Sequence, residues 1–295
     1  MTLWKINPKN IKHDRYSPII NNMPDNEFSS EIQLDYTQPE PLSYTNSYKK
    51  FKSRRTYKRK KVVENIFNSL GPLKVLDIGG GDPLRTNASY LGLIKEYIEI
   101  YYCLDPSDLA WLSVSSQENI NKLKESVNPE IRFIKGIAEE VPLEDEGFDL
   151  ILMMSSLDHC TNAMKVLEEC FRLLKPNGMI FIDLTNHSSI YKRLERKFFP
   201  EKAKKRRLES NKEHNFYFNP NELKRMLIKN GFFKIEKQTF QFLPEQVSFL
   251  LSKYKMGWIL PYWLLKIIDV ILSYLFRDSG GLMHITGKKP HFLKN

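Results

Sequence analysis

The sequence predicts an α/β fold, in which helices cover a mostly parallel sheet, and three observations carry this prediction. Five short apolar segments are typical of buried strands, and in chain order they read KVLDIG, IEIYYCLD, IRFIKG, FDLILMMSS and GMIFIDL. Helical segments separate them, such as NAMKVLEECFRLLKPNG, which is expected to end at Asn177 and Gly178. Strands joined through helices pair in parallel, so a parallel sheet with helices on both faces is expected. The third observation is a run of three glycines directly after the first strand.

The regions on either side of these strands complete the predicted organisation. Residues 1–45 are polar and dotted with proline, which predicts an irregular N-terminal arm, and residues 46–295 are predicted to form the domain. A helix is predicted to end at Gly71, where Pro72 stops it. Two insertions are predicted, one at about 186–218 and an apolar helical one at about 244–278.

The last third of the chain carries one clear helix signal and two further strands. Asn219 is a favourable capping residue, Pro220 suits the first helical position and Glu222 completes a capping box, so NELKRMLIKNG is predicted to be helical. FFKIEKQTFQF and GGLMHITGKKP are predicted to be strands that form an antiparallel pair at one edge of the sheet.

Composition limits the class of protein and its location. The chain has 295 residues, of which 41% are hydrophobic, and a formal net charge of +10, which favours polyanions or anionic membrane surfaces. Its first residues lack the apolar core of a secretory signal, and no uncharged apolar run approaches the roughly 20 residues that span a bilayer. The three cysteines form no C-x-x-C pair, which is typical of reduced thiols in a cytoplasmic protein.

The three glycines raise the question of which ligand the turn after the first strand admits. Glycine lets the backbone turn tightly and approach a bound nucleotide without a Cβ atom in the way. The dinucleotide fingerprint G-x-G-x-x-G is not met, because Leu84 stands where the third glycine would be. Asp77 and Asp82 would also be poor neighbours for a pyrophosphate, whereas they suit a ligand that carries positive charge.

Four segments in order resemble the class I S-adenosylmethionine (SAM)-dependent methyltransferases. They are VLDIGGG, the strand end YYCLD, the stretch GIAEEVPLEDEGFDLILMMSSLDH, and LLKPNGMIFIDL. The resemblance covers roughly residues 60–290. It implies a Rossmann-like methyltransferase sheet of seven strands, mostly parallel with an antiparallel C-terminal strand, and SAM as the cofactor.

The resemblance also assigns the cofactor site. Asp77 is expected to organise the methionine end of SAM, the glycines to admit its backbone, Asp105 to hold the ribose hydroxyls and Ala138 to pack near the adenine. The family often has an acid before this alanine, but Ile137 stands here, so adenine would rely on backbone groups and apolar contact. The residues predicted to bind the cofactor are Asp77, Gly79, Gly80, Gly81, Asp105, Ile137, Ala138 and Ser155.

Candidate catalytic residues follow the fourth strand and precede the capped helix. Asp158 and His159 lie just after a strand end, where open α/β sheets bind ligands, so His159 is a candidate general base. His214 is the second candidate, in a segment that many relatives use to cover the acceptor. The alternative for both histidines is a structural role in a loop. No metal is predicted, because the six histidines are scattered and no cluster has metal-ligand spacing.

Two basic runs and one apolar helix suggest the kind of partner. The run at 49–61 holds nine cations and no acid, and the run at 192–207 holds nine cations and two acids. The helix near 258–276 would measure about 24 Å from Pro261 to Phe276 and is too charged midway to span a bilayer. Residues 257–277 could therefore lie on an anionic membrane surface together with the basic runs, pack on the sheet, or bury their surface in a homodimer.

The sequence thus predicts a methyltransferase that acts in the cytoplasm or on the periphery of the membrane. Its acceptor is expected to be a hydroxyl, carbon or amine of a small molecule or lipid-linked compound that is anionic. Two alternatives remain open: an RNA methyltransferase that uses the basic runs, and a non-catalytic domain that binds a membrane or a partner protein.

Overall fold

The computed structural model of the chain describes residues 73–80, 98–106, 130–210, 214–242 and 262–291. The predicted N-terminal arm, the helix before Gly71, the first basic run and Gly81 lie outside these residues. The predicted domain and insertion boundaries therefore stay predictions.

A mixed sheet of seven strands organises the described residues, in the order β3-β2-β1-β4-β5-β7-β6. Neighbouring strands from β3 to β5 pair in parallel, and β7 runs antiparallel to β5 and β6. The strands are β1 (Leu73–Ile78), β2 (Ile98–Asp105), β3 (Glu130–Lys135), β4 (Phe148–Met154), β5 (Leu174–Thr185), β6 (Phe233–Phe240) and β7 (Leu282–Lys288).

The predicted antiparallel edge pair forms, because β6 pairs antiparallel with β7 at one side of the sheet. β7 lies between β5 and β6, so only β6 forms the edge on that side. The burial of the two strands explains the order. β7 buries Leu282, Met283 and Ile285, whereas β6 exposes Lys234 and Glu236. An apolar strand gains from neighbours on both sides, and charged side chains suit an exposed edge.

Five helices accompany the sheet in the described parts of the chain. They are α1 (Ala163–Leu173), α2 (Ile190–Phe198), α3 (Pro200–Ser210), α4 (Pro220–Lys229) and α5 (Tyr262–Leu275). α1 and α4 bury apolar faces in the core, through residues such as Val166, Leu167, Leu223 and Leu227. The connections from β1 to β2 and from β2 to β3 lie outside the described residues, so helices on both faces stay a prediction.

The end of α1 differs from the expectation. The helix was expected to continue to Asn177 and Gly178, but it ends at Leu173, and β5 begins at Leu174 with extended backbone (φ −73°, ψ 138°). Pro176 explains this early end, because a proline disfavours helical backbone at the residue before it and cannot donate a helical hydrogen bond.

The predicted insertion at 186–218 contains α2 and α3, called the basic hairpin below (residues 190–210). It carries the whole of the second basic run, and α2 buries none of its side chains fully. Its first residue is tied to the C-terminal side of α5, since Ile190 N donates to Ser279 O at 2.9 Å. Within the described residues, no helix has the length and apolar character needed to cross a bilayer.

Strand order places a crevice at the carboxyl end of β1. The chain runs outward from β1 to β2 and β3 and then crosses to β4 on the other side of β1. The connections that leave β1 and β4 therefore diverge, and ligands of open α/β sheets bind at such a point.

Candidate functional site

The glycine turn brings the backbone after β1 against the residues after β4. Gly79 has φ +74°, and its N–H donates to Leu104 O at 2.7 Å. A Cβ atom on Gly79 would lie 2.4 Å from Cβ of Ser156, closer than two carbon atoms can approach. A side chain is therefore excluded at Gly79 by both backbone conformation and space.

Gly80 is also confined by its neighbours. A Cβ atom there would lie 2.7 Å from Sγ of Cys103 and 3.1 Å from Oδ2 of Asp77. Gly79 and Gly80 thus bring backbone, without side chains of their own, next to the buried carboxylate at the end of β1. This arrangement suits the close approach of a nucleotide cofactor.

Two buried acids stand at the ends of neighbouring strands. Asp77 near the end of β1 is 4% exposed and Asp105 at the end of β2 is 8% exposed. Tyr101 donates its hydroxyl hydrogen bond to Oδ2 of Asp77. Sequence reasoning missed Tyr101, although the register offers a signal: Tyr101 lies opposite Val75, two residues before Asp77 and on the same face of the sheet.

A cleft opens at this end of the sheet, and it contains part of the predicted cofactor site. Four of the predicted residues line it directly: Gly79, Ile137, Ala138 and His159. Asp77 and Asp105 lie next to lining residues in the chain. The whole lining comprises Ile78, Gly79, Leu104, Pro106, Gly136, Ile137, Ala138, Glu139, Ser156, His159, Cys160 and Thr161.

The serine that lines the cleft is Ser156, not the predicted Ser155. Ser155 is exposed, has φ +56°, and its N–H donates to Asp183 O at 2.8 Å. Because the backbone turns at Ser155, the next side chain is the one that meets the glycine turn. The assignment of Ser155 to the cofactor stays a prediction, and Ser156 is a further candidate.

Glu139 anchors the loop on the predicted adenine side to the start of α1. Its Oε1 accepts hydrogen bonds from Thr161 N (2.6 Å), Thr161 Oγ1 (2.9 Å) and Asn162 N (3.1 Å). These contacts hold one wall of the cleft, which includes Ile137 and Ala138. Glu139 therefore positions the loop through this oxygen.

The three predicted catalytic residues come together beside the cleft. His214 Nδ1 lies 3.1 Å from Asp158 Oδ2, and His159 Nε2 lies 4.0 Å from Asp158 Oδ1. The rings of His159 and His214 are 4.4 Å apart between centroids. Burial acts to raise the pKa of Asp158, but the hydrogen bond with His214 and the charges of both histidines outweigh it, so the pKa is lowered. The Asp158 carboxyl is therefore ionised at neutral pH.

A backbone connection explains how His214 reaches Asp158 from so far along the chain. Asn215 N donates to Asp158 O at 2.8 Å, and Asn215 Nδ2 donates to His159 O at 2.9 Å and Cys160 O at 3.0 Å. Asn215 thus holds the segment before α4 against the loop after β4. Sequence reasoning missed this asparagine, and the spacing of residues gives no signal for it.

The cluster of Asp158, His159 and His214 also has the composition of a metal site. Asp158, His159 and His214 offer atoms that all lie within 4.8 Å of one another, so the three could hold an ion. The premise that the histidines are scattered is therefore wrong for this pair. The absence of a metal stays a prediction.

A second group of polar residues lies next to this trio. Lys192 Nζ is 3.1 Å from His187 Nδ1, and the His187 ring contacts Tyr217 at 4.5 Å between centroids. Burial, followed by the charge of Lys192, lowers the pKa of His187 to about 3. Burial, followed by the charge of Arg196, lowers the pKa of Lys192 to about 8. Sequence analysis treated Lys192 only as one cation of a basic run.

The thiol groups near the site are poor nucleophiles. Cys160 lines the cleft, but burial and then the charge of Glu139 raise the pKa of its thiol well above its usual value. Burial likewise raises the pKa of Cys170. Thiolate is the reactive form of cysteine, and the raised pKa values keep both thiols protonated at neutral pH.

Comparison with known proteins identifies the domain. Residues 76–182 match the family Methyltransf_11, a methyltransferase domain. The ubiquinone biosynthesis O-methyltransferase of Histophilus somni is 28% identical over 131 residues, which cover 44% of this chain and 52% of that protein. The match thus spans about half the length of this curated relative. An uncharacterized protein of Methanocaldococcus jannaschii is 25% identical over 262 residues, or 86% of this chain and 97% of that protein.

A solved structure shows the same fold. A phosphoethanolamine N-methyltransferase 2 of Haemonchus contortus, in complex with phosphomonomethylethanolamine and S-adenosylhomocysteine, superposes with a TM-score of 0.52 at 17% identity. The alignment covers 80% of this chain and 53% of that one.

The region that contains the glycine turn and the cleft is a class I SAM-dependent methyltransferase domain with a Rossmann-like fold, as the sequence predicted. The residues present fit the cofactor of this class. The space at Gly79 and Gly80 excludes side chains, and Asp77 and Asp105 offer buried carboxylates for amino and hydroxyl groups.

Proposed function

We propose that the protein transfers the methyl group of SAM to a hydroxyl, carbon or amine of a small, anionic and lipophilic acceptor. One observation carries this proposal. The cleft beside the glycine turn is lined by His159, whose ring lies 4.4 Å from that of His214, and His214 contacts the ionised Asp158. A candidate cofactor site and a candidate base thus share one cleft.

The residues of the cleft suggest how the cofactor would be held. Asp105 would accept hydrogen bonds from the ribose hydroxyls, and Asp77, positioned by Tyr101, would organise the methionine end. Adenine would lie against Ile137 and Ala138. When bound, SAM supplies an electrophilic methyl group on a sulfonium. Holding an acceptor in line with such a group removes much of the entropic barrier to transfer.

His214 is the candidate base for acceptors that must lose a proton. With its proton on Nδ1, His214 would direct that proton at Asp158 Oδ2, 3.1 Å away, and keep the Nε2 lone pair to accept the acceptor's proton. Ionised Asp158 stabilises the imidazolium that results. A general base contributes about 10²- to 10⁴-fold to a rate, so His214→Asn should reduce kcat by about that factor once an acceptor is in hand.

The nature of the acceptor is supported by the relatives and by the charges around the site. The relative from Histophilus somni is named an O-methyltransferase of ubiquinone biosynthesis, which favours a hydroxyl on a lipophilic compound. Lys192 of the basic hairpin contacts His187, and Arg207 lies over Tyr217 in the segment that carries His214, which supports negative charge on that compound.

Calorimetric titration tests the cofactor assignment. We expect SAM and S-adenosylhomocysteine to bind with dissociation constants of about micromolar, and NAD not to bind. Asp105→Ala should weaken the binding of SAM and of S-adenosylhomocysteine by about 1–3 kcal/mol, because it leaves hydrogen-bond donors of the ligand unpaired. Glu99→Ala removes an exposed acid from the same strand and should change nothing. Failure of SAM to bind would support the non-catalytic alternative.

Transfer of a labelled methyl group distinguishes the acceptor classes. The protein is incubated with methyl-labelled SAM and either an organic-solvent extract of cells or purified total RNA. We expect label in the organic extract and none in RNA. Label in RNA that is lost at high salt would favour the RNA methyltransferase instead.

We further propose that an anionic membrane surface presents the acceptor. Four side chains of α5 at helical spacing are strongly exposed, at 46%, 52%, 51% and 63% for Ile267, Val270, Ile271 and Leu275. The basic hairpin adds exposed Phe198 and Phe199 among its cations. Apolar side chains beside cations suit the interface of an anionic bilayer.

Sedimentation with lipid vesicles tests this surface. We expect binding to phosphatidylglycerol vesicles, weaker binding to phosphatidylcholine, and loss at high salt. Ile271→Gln should reduce binding by about tenfold, whereas Ile228→Gln on α4 should not, although the two side chains are 51% and 54% exposed. A dimer that Ile271→Gln dissociates would assign the surface to a second copy of the chain.

A further inference from the structure

Lys192 is a cation whose surroundings lack a dedicated counter-charge. It lies in the first turn of α2 and is half-buried, and its Nζ atom contacts His187 Nδ1 at 3.1 Å and Nε2 at 3.5 Å. Among the residues that the structure describes, no carboxylate forms an ion pair with Lys192. A half-buried ammonium without a carboxylate is unusual, because desolvation disfavours the charge.

The charged groups near Lys192 have other partners or the same sign. Glu195 forms an ion pair with Arg206, and Asp158 contacts His214. Arg196 and Arg206 add positive charge and lower the pKa of Lys192 further. The neutral imidazole of His187 is thus the polar group that faces the ammonium.

Nearby groups extend the positive region toward the candidate base. His187 contacts Tyr217, and the guanidinium of Arg207 lies 5.2 Å from the centre of the Tyr217 ring. His187 N donates to Phe218 O at 3.0 Å, which holds this group beside the segment that carries His214. A site so rich in positive charge favours a bound anion over a metal ion.

We propose that Lys192 and His187 bind an anionic group of the acceptor, a carboxylate or a phosphate, and so fix the position of the acceptor beside Asp158 and His214. The ammonium supplies the charge. With the ammonium donating to one ring nitrogen, His187 carries its proton on the other and donates it to the anion. This inference rests on the proposed function, since it names the feature of the acceptor that the site recognises.

Anion binding to the full chain without cofactor tests the proposal. Acetate, inorganic phosphate and dihexanoyl phosphatidic acid are titrated by calorimetry. We expect one of the three to bind best, which distinguishes a carboxylate, a free phosphate and a lipid headgroup. Lys192→Gln should lower the affinity for that anion by about tenfold or more, because charge-assisted hydrogen bonds are lost. The control Lys229→Gln removes an exposed charge from α4 and should change affinity less than twofold.

The pH dependence provides a second readout that a structural role would not produce. Binding of acetate to the wild type should decline above about pH 8, as the Lys192 ammonium loses its proton. Lys192→Arg keeps its charge at that pH and should bind acetate equally at about pH 7 and about pH 9. A variant that does not fold is recognised by circular dichroism, and Lys192→Arg then carries the test.

Equal anion affinity in the wild type and Lys192→Gln would overturn the proposal. So would an equal loss in Lys192→Gln and Lys229→Gln, which would show a diffuse charge effect. Because SAM is titrated separately, the two hypotheses fail independently. A Lys192-dependent anion site without SAM binding would overturn the function alone, and SAM binding without such a site would overturn this inference alone.

Discussion

At the scale of single residues, Gly79 has the least tolerance for change in the cleft. Its positive φ disfavours any L side chain. The side chain of Ser156 also occupies the space that a Cβ atom on Gly79 would need. Strain of this kind costs about 1–3 kcal/mol per residue, and here it lies at the base of the candidate cofactor site.

Gly79→Ala is therefore expected to lower the free energy of unfolding by about 1–3 kcal/mol and to weaken SAM binding. Urea denaturation and calorimetry measure the two effects. Gly147→Ala is the matched control, because its Cβ atom would meet its nearest neighbour at 3.5 Å, an ordinary contact. Equal behaviour of the two variants would mean that the turn relaxes easily and is not a fixed part of the site.

Single residues also show where sequence reasoning ends. The glycines, Asp77 and Asp105 could be predicted because their positions follow from strand ends in a parallel sheet. Tyr101 could have been predicted from register, since it shares a face with Asp77. The contact of Ser156 with the glycine turn could not be predicted, because the turn at Ser155, with φ +56°, cannot be read from residue types.

At the scale of elements, local hydrogen bonds decide where a helix begins. Asn219 Oδ1 accepts from Glu222 N at 3.0 Å, and Asn219 Nδ2 donates to Glu222 Oε2 at 3.0 Å. These contacts satisfy the first turn of α4, the helix that follows the segment carrying His214.

Removing this cap tests how much the element contributes to stability. Asn219→Ala should lower the free energy of unfolding by about 1 kcal/mol, because it leaves a helical N–H group without its acceptor. Chemical denaturation gives this value. Lys229→Ala, an exposed change in the same helix, should stay within about 0.5 kcal/mol. A smaller effect of Asn219→Ala than of Lys229→Ala would show that tertiary packing alone holds the start of α4.

Elements with strong local signals were predicted correctly, and the boundary between one helix and the next strand was not. α4 has a cap, a proline and an apolar face, and it forms where expected. β6 and β7 form the antiparallel edge pair that was predicted, and the more apolar β7 lies on the inner side. The boundary between α1 and β5 depends on Pro176, whose effect outweighs the helical pattern before it.

At the scale of the whole molecule, the site depends on contacts that no local pattern contains. His214 lies beside Asp158 where Asn215 binds the backbone of the loop after β4. The group around Lys192 requires the basic hairpin to fold beside that same segment. The sequence shows each of these residues, whereas their contacts with one another follow from tertiary structure.

The burial of His187 links the stability of the whole molecule to pH. The pKa of His187 is lowered from 6.5 to about 3. Between these two pH values the imidazole is therefore protonated in the unfolded chain and neutral in the folded chain. The sign follows: the stability contributed by neutral His187 is complete above about pH 6.5 and is lost as the pH falls toward about 3. The free energy of unfolding should therefore decrease over this range.

Urea denaturation at several pH values checks this expectation. His187→Asn should show a shallower decrease than the wild type, with a difference of roughly 1–3 kcal/mol by about pH 4. His291→Asn, which changes an exposed histidine, should follow the wild type. Parallel curves for His187→Asn and the wild type would show that His187 takes up its proton without loss of structure.

The central claim is that the glycine turn, Asp77 and Asp105 form a SAM site that opens on His159 and His214. A crystal structure of the protein with S-adenosylhomocysteine tests it most directly. The account predicts ribose hydroxyls on Asp105, adenine against Ile137 and Ala138, and the sulfur on the side of Ser156 and His159. A ligand bound elsewhere, or a ribose without contact to Asp105, would contradict it.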